Sequence, residues 1–434
     1  MADKKVIAIV FVLILVIAAA GAFLVLNKGG SSKSDIDRTG RLMILGNADN
    51  NDSIDSDDVK TIRSIVKDGT WDKEKYPYAD ANNDGEITDA DADYIDKIIA
   101  KTCGYVYYVN ALGEIKSVHY PVEKFVCVGS FAINSMIVLG QEKCAGVSRS
   151  SSFTDEIYWT GIQDLPAISN NAKKADYDLV TSIPGVQSIM TGSDGVTNQA
   201  DFEKANIDVV RLDYNGPNEL AAIMITGFLI ESDNYLKIAK AYDAVTEKVE
   251  EVIAKHPELA TKTALNCYNN LGIYSDISAQ GWMSSKVGIK NAWTYDSSKD
   301  DKEYLNAKSG DSEWYLNDRF KADYIIAFSN YTYSKDSTPD SILSQMVEYF
   351  SKLPAFPEHT ILFNSSIPQL AKTAYMLEGL FPGDVGVGYG DKVLQDYINE
   401  FNPDFAKTGY DVSKDGLFLV TTEEIKKYVE DHKS

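Results

Sequence analysis

At 434 residues the chain is long enough for two or three domains, each with its own core. Its composition is ordinary for a globular protein, 44% hydrophobic and 24% charged. A formal net charge of -22 and a pI near 4.6 argue against nucleic acid and anionic lipid headgroups as partners.

Lys4 and Lys5 precede Val6 to Leu26, an uncharged run of 21 residues. As a helix this run would be about 31 Å long, matching a hydrocarbon core of roughly 30 Å. The lysines predict a cytoplasmic N-terminus and put the bulk of the chain outside. A cleaved signal peptide is the competing reading, but it needs a shorter apolar core ending at small residues. Ala18 to Gly21 lie inside the run, with Phe23 to Leu26 after them, and no Cys follows to carry a lipid. The expectation is an uncleaved single-pass membrane anchor over residues 1–27. A polar, flexible linker follows over 28–40, with Gly29, Gly30, Ser31 and Ser32 at its start.

Residues 41–103 contain an internal repeat. Its first copy puts oxygen-bearing side chains at Asn47, Asp49, Asn51, Ser53, Asp55 and Asp58; the second puts them at Asp80, Asn82, Asp84, Glu86, Thr88 and Asp91. Ile54 and Ile87 hold position 8, and an amphipathic helix pattern follows each loop. Calcium takes six to eight hard oxygens from alternate positions of such a loop, and Gly85 at position 6 suits the sharp bend. Two ions per chain are expected. The pair resembles the type I dockerin module, a small all-α, EF-hand-like unit with Asp at position 12. The first copy departs from that pattern, with Asn47 at position 1 and Asp52 at position 6. The resemblance implies a cohesin-bearing partner. However, Ser56-Asp57 and Asp89-Ala90 at positions 10 and 11 are not the matched hydroxyl pairs of familiar dockerins, which leaves a calcium-rigidified spacer as the alternative.

From Gly104 onward short apolar strands alternate with helical stretches. A hairpin is expected over Tyr105–Val109 and Ile115–Val118. Strands are expected at Phe125–Val128, Gly146–Val147, Ser188–Met190 and Asp208–Leu212, with a helix from Ser130 to Leu139. A helical stripe from Tyr235 to Ile253, stopped by Pro257 and preceded by Ser232 as N-cap, predicts one long helix over about 232–256. Strands at Thr263–Tyr268, Tyr324–Phe328 and Thr360–Phe363 open a second series. The fold class is α/β, with lobes at about 104–230 and 260–434 joined by the long helix.

This arrangement resembles the helical-backbone class of substrate-binding proteins of ABC importers, the iron-chelate and cobalamin family. Tyr108 to Ile115 is similar to the family's opening "D-x-x-G-R" hairpin, and Pro121 to Val126 to its "P-x-R-V-V" strand entry. Ile137 to Gly140 followed by Gly146-Val147 is similar to "L-L-G … V-G-V", and Ser312 to Ile326 to "S-x-E-x-L-x-x-x-x-P-D-x-I-I". The resemblance implies capture of an iron chelate (siderophore or haem) or a corrinoid, and delivery to a permease. Loops beyond strand C-termini would hold it. They carry Ser130, Phe131, Arg149, Ser150, Ser152, Tyr214, Trp282, Asn330, Tyr331 and Asn364, and also Ser193, Asp194, Asn215, Tyr274 and Ser365. Arg149 and Trp282 stand out as partners for an anionic or aromatic chelate. Permease-docking carboxylates would be Glu313 on the second lobe and Asp178 or Glu156 on the first.

The rival readings are a dockerin-bearing hydrolase, a glycosidase in particular, and a surface scaffold. Only His119, His256, His359 and His432 are present, with no H-E-x-x-H, G-x-S-x-G or P-loop, so the expectation is a non-enzyme. Four cysteines, Cys103, Cys127, Cys144 and Cys267, leave three full pairings open.

Overall fold

The computed structural model describes residues 36–149, 158, 160–171, 173–269, 272–278, 280–306, 320–329 and 339–432. The expected membrane span at 6–26 and most of the linker lie outside the described residues. Among the described residues no helix is long and apolar enough to cross a membrane. The chain divides into two compact units. The first takes residues within Met1–Ser151, Asp164–Tyr214 and Asn218–Ala239; the second takes Ser152–Gln163, Asn215–Pro217 and Lys240–Ser434.

In the first unit the repeat forms two helices, Ser56–Asp68 and Asp89–Ile99. Each starts at a capping box. Asp55 pairs with Asp58 in one and Thr88 with Asp91 in the other, each satisfying two orphan N–H groups. Val59, Ile62, Ile65, Ala92 and Ile95 share one core with Ala48, Ala79 and Ala81. This small core does not stand apart from the neighbouring hairpin. Strands β1 (Gly104–Val109) and β2 (Ile115–Tyr120) form that hairpin, as expected. The segment 43–45 adds to its edge: Leu45 N donates to Tyr107 O at 2.8 Å, and Val109 N to Met43 O at 3.0 Å. Tyr94 Oη donates to Tyr105 O at 2.9 Å, and Lys101 pairs with Glu231. The expected boundary at 103/104 therefore falls inside one compact unit.

The α/β part of this unit is a parallel sheet. Its strands are β3 (Phe125–Val128), β4 (Cys144–Ser148), β5 (Ala167–Ser169), β6 (Ser188–Thr191) and β7 (Asp208–Arg211), in the order β5-β4-β3-β6-β7. Helices cover a parallel sheet on both faces, and β3 and β6 are buried along their whole length. Val126, Val128, Ile168, Val180, Ile189 and Phe202 form the core on one face. The hairpin is fastened to β7 by Asp208, whose Oδ2 accepts from His119 N at 2.8 Å and from Nδ1 at 2.5 Å. Nε2 then serves as acceptor for Tyr105 Oη at 3.1 Å and Asn206 Nδ2 at 3.3 Å.

The long helix is Tyr235–Lys255, 21 residues. Ser232 accepts Asn234 N through its hydroxyl at 3.1 Å and donates to Leu139 O, so the helix begins later than its expected cap. In the second unit the strands are β8 (Thr263–Tyr268), β9 (Gly272–Tyr274), β10 (Lys290–Asn291), β11 (Tyr304–Asn306), β12 (Tyr324–Ser329), β13 (Thr360–Asn364) and β14 (Leu419–Val420). The sheet runs β11-β9-β8-β12-β13-β14, with β10 beside β8; β8, β12 and β13 are parallel. Leu265, Cys267, Ile325, Leu343, Phe350 and Leu362 anchor its core. Each such wholly buried side chain contributes about 1.5–3 kcal/mol.

All four cysteines are free thiols. Cys127 and Cys144 sit on neighbouring strands with their thiols in hydrogen-bond contact, and burial pushes the Cys127 thiol well up.

Candidate functional site

The two acidic loops share one backbone design. Position 4 is left-handed in both, with φ 58° at Asn50 and 57° at Asn83, a conformation Asn tolerates. In the second loop Asp80 accepts Asp84 N at 3.0 Å and Gly85 N at 2.9 Å, while Asn82 and Asp84 accept Asp84 N and Glu86 N. Gly85 supplies φ 92° at position 6. The position 12 carboxylates behave alike. Asp58 accepts Asp49 N at 3.1 Å and Asp55 N at 2.7 Å; Asp91 accepts Asn82 N at 3.3 Å and Thr88 N at 2.9 Å.

Burial, reinforced by the neighbouring Asp49 and Asp55, pushes Asp58 up to about 7. Asp49 and Asp91 are also raised, burial being the main cause in each. Carboxylates crowded out of water in this way favour a hard cation. At the same time, among the described residues no three Asp, Glu, His or Cys side chains converge as a metal-binding group. The loop carboxylates here point to backbone N–H groups. Asp52, the departure at position 6, has Arg41 Nη1 at 3.6 Å and Arg38 Nε at 3.7 Å.

The chelate candidates of the first unit divide by accessibility. Ser130 and Phe131 open the helix Ser130–Leu139, and Phe131 is 38% exposed. Tyr214 is buried, and its hydroxyl is 2.7 Å from Thr226 Oγ1. Arg149 Nη2 donates to Leu165 O at 2.5 Å, so its guanidinium holds the loop before β5. Asp194 is paired with Lys173 at 2.8 Å, and Ser193 O accepts from Arg211. Asp178 is exposed in the first turn of the helix Tyr177–Ser182. Nearby, Tyr177, Asp201, Lys204 and Ala205 line a surface depression of about 480 Å³ that contains none of the chelate candidates. Ser150, Ser152, Glu156, Asn330, Tyr331 and Glu313 lie outside the described residues.

In the second unit Trp282 is 6% exposed, with Lys286 Nζ 5.7 Å from its ring centre. Asn364 is wholly buried and its Oδ1 accepts Ser366 N at 2.8 Å. Ser365 N donates to Ser329 O at 3.0 Å, tying the ends of β12 and β13. Gln369 Nε2 donates to Gly216 O at 3.0 Å beside Asn215. The Tyr274 ring packs, tilted, 4.9 Å from that of Tyr304 and 5.4 Å from that of Phe328.

Two polar arrangements gave no sequence signal. Asn266 Nδ2 donates to Gly281 O and Ser284 Oγ, both at 2.9 Å, and Asn291 Nδ2 reaches Tyr274 O and the same Gly281 O. Glu378, buried, accepts Gly388 N at 2.7 Å and Gly390 N at 2.8 Å, holding the start of the helix Tyr389–Phe401, with Val387 exposed in the turn before it.

No family model matches the sequence, and no curated protein does. Solved structures do match the fold. A TroA-like periplasmic binding protein, FepB, from Veillonella parvula aligns over 73% of this chain and 99% of its own, at 14% identity and a TM-score of 0.50. CeuE from Helicobacter pylori, in a nickel–histidine complex, aligns over 70% and 99% at 14% identity and 0.46. The catecholate-siderophore binding protein VctP from Vibrio cholerae aligns over 70% and 99% at 10% identity and 0.45. The α/β part of this chain has the fold of a TroA-like periplasmic binding protein.

Proposed function

We propose that this chain is an extracytoplasmic substrate-binding protein of an ABC importer. It captures a metal chelate (a siderophore, haem or a corrinoid) and presents it to a permease. The observation that carries the reading is the fold match over nearly the whole length of a TroA-like binding protein. The ordered phrases from Tyr108 to Ile326 support it independently. The run Val6 to Leu26 would hold the protein at the membrane. Phe131 is the most exposed ring among the described chelate candidates, and Asp178 is an exposed carboxylate for docking, with Glu313 its proposed counterpart.

We propose calcium at the paired loops. Asn47, Asp49, Asn51, Ser53, Asp55 and Asp58 would hold one ion, and Asp80, Asn82, Asp84, Glu86, Thr88 and Asp91 the other, with Ser53 and Glu86 at position 7 offering backbone carbonyls. A cohesin-bearing partner is a subordinate proposal, resting on the dockerin resemblance alone.

Tryptophan fluorescence of the full chain, titrated with ferric siderophores, haem and cobalamins, tests the importer reading. Saturable binding of one class at micromolar concentration or tighter, about -8 kcal/mol, is expected. Absence of binding to all three, or glycoside turnover by the purified chain, would overturn it.

A further inference from the structure

We infer that Cys127 and Cys144 are a disulfide site, a bond between β3 and β4 that closes the chain around the helix Ser130–Leu139. The placement comes from the sheet. β3 and β4 are parallel, with Phe125 opposite Cys144 and Cys127 opposite Val147, so β4 carries one extra residue between the two pairings. Side chains alternate along a strand, so Phe125 and Cys127 share a face, and Cys144 joins them as the partner of Phe125. Val126 and Val128 supply the core of the other face. The two thiols are in contact, with Cys127 1% and Cys144 6% exposed. Cys103 and Cys267 belong to different units, and Cys267 is buried in the core of the second.

Seventeen positions separate the pair (144 minus 127). The enclosed stretch is the end of β3, the turn at Gly129, the helix and the entry to β4. Hydrogen bonds already hold its ends: Gly129 N donates to Ser148 Oγ at 3.0 Å and Phe125 N to Lys143 O at 3.1 Å. The bond would pin the helix whose first turn carries Ser130 and Phe131. An oxidising compartment outside the cytoplasm supplies a small-molecule disulfide as oxidant, so the inference uses the location proposed above and not the ligand. One cysteine thiolate attacks that disulfide and expels its first thiol. The other then attacks the protein sulfur of the mixed disulfide and expels the second. The oxidant's S–S bond breaks and the protein's forms; two electrons and the two thiol protons pass to the released thiols. Burial closes the folded pair to an outside oxidant, so the exchange takes place while the core of this unit is still open.

The test is to refold the full chain in detergent with reduced and oxidised glutathione, block free thiols with N-ethylmaleimide, and map peptides by mass spectrometry without reduction. The expected product links the Cys127 and Cys144 peptides, with two hydrogens lost, and leaves Cys103 and Cys267 alkylated. Alkylated Cys127 and Cys144, or a bond from either to Cys103 or Cys267, overturns the inference. Should the chain not refold, the same map on chain secreted by a host cell and quenched in acid replaces that arm. Amide exchange gives a second reading. Closing a loop of this length lowers the opening equilibrium about 100-fold relative to the phosphine-reduced chain. Slowing of that order is expected in β3 and β6, with β12 and β13 as the internal control. Equal exchange in the two forms removes the bond's role in holding the sheet and helix together. Cys144→Ser should yield no linked peptide and exchange like the reduced chain. Chelate binding absent from bonded and reduced chain alike would overturn the importer reading and leave the disulfide standing.

Discussion

Replacing Asp208 with Ala should loosen the hairpin from the sheet of the first unit. The carboxylate accepts both the backbone N–H and the ring N–H of His119, and the two side chains are only 16% and 23% exposed. A hydrogen bond to an ionised group contributes about 1.5–3 kcal/mol, and partial exposure with local relaxation brings the pair to about 2–4 kcal/mol. Asp208→Asn keeps an acceptor oxygen without the charge and should cost about half as much. In a double-mutant cycle with His119→Ala the coupling should be about 1–2 kcal/mol, since the backbone bond survives that partner change. The assay is urea titration of the full chain, with amide exchange at Val126–Val128 and Ile189–Met190 reporting the sheet. A loss below about 0.5 kcal/mol for Asp208→Ala would refute the reasoning, because ordinary surface changes fall in that range. The hairpin would then be held by Ala111 N on Arg211 O, by Asn206 Nδ2 on His119 Nε2 and by apolar contact.

Gly281→Ala should cost at least about 3 kcal/mol in thermal unfolding, since a Cβ there would lie 1.5 Å from Ser275 O; wild-type stability would refute the packing described. Glu378→Ala orphans two N–H groups and should cost about 2–4 kcal/mol, with accelerated exchange at Gly388 and Gly390 as the local signature. His256 is held above its usual value chiefly by the hydrogen bond to Asp384, and Asp384 below its own chiefly by His256. The contribution of the pair is therefore lost at acid pH as Asp384 protonates. At the other end it is complete below about pH 6.5 and disappears as pH rises through the raised value for His256. An NMR titration should put the His256 midpoint above 6.5 and bring it down in Asp384→Asn; no change in that variant would refute the pairing.

Strands with several consecutive apolar residues were legible in the sequence. Phe125–Val128, Asp208–Arg211, Tyr324–Ser329 and Thr360–Asn364 fall where the apolar runs put them. β5, β9, β10, β11 and β14 were not, because two or three residues carry no period to read. The matching turns and helices of the loop repeat were legible, since their spacing is local. The candidate chelate contacts were chosen by loop position, and position does not decide burial. Tyr214 and Trp282 turn inward because neighbouring elements supply an apolar surface and, for Tyr214, a hydroxyl partner in Thr226. Asp208 fastening His119 joins positions 89 apart, beyond any local pattern.

In the second unit the β13 edge is covered by β14, through pairing of Leu362 with Val420 and Phe363 with Leu419, by Phe418 O accepting Asn364 N at 2.9 Å, and by Thr422 Oγ1 donating to Thr360 O at 2.8 Å. Without them, a run of five buried residues, Thr360–Asn364, presents an open row of N–H and C=O groups. A chain truncated before Leu419 would therefore keep a template for strand addition, and its expected fate is association with its own copies rather than simple loss of activity.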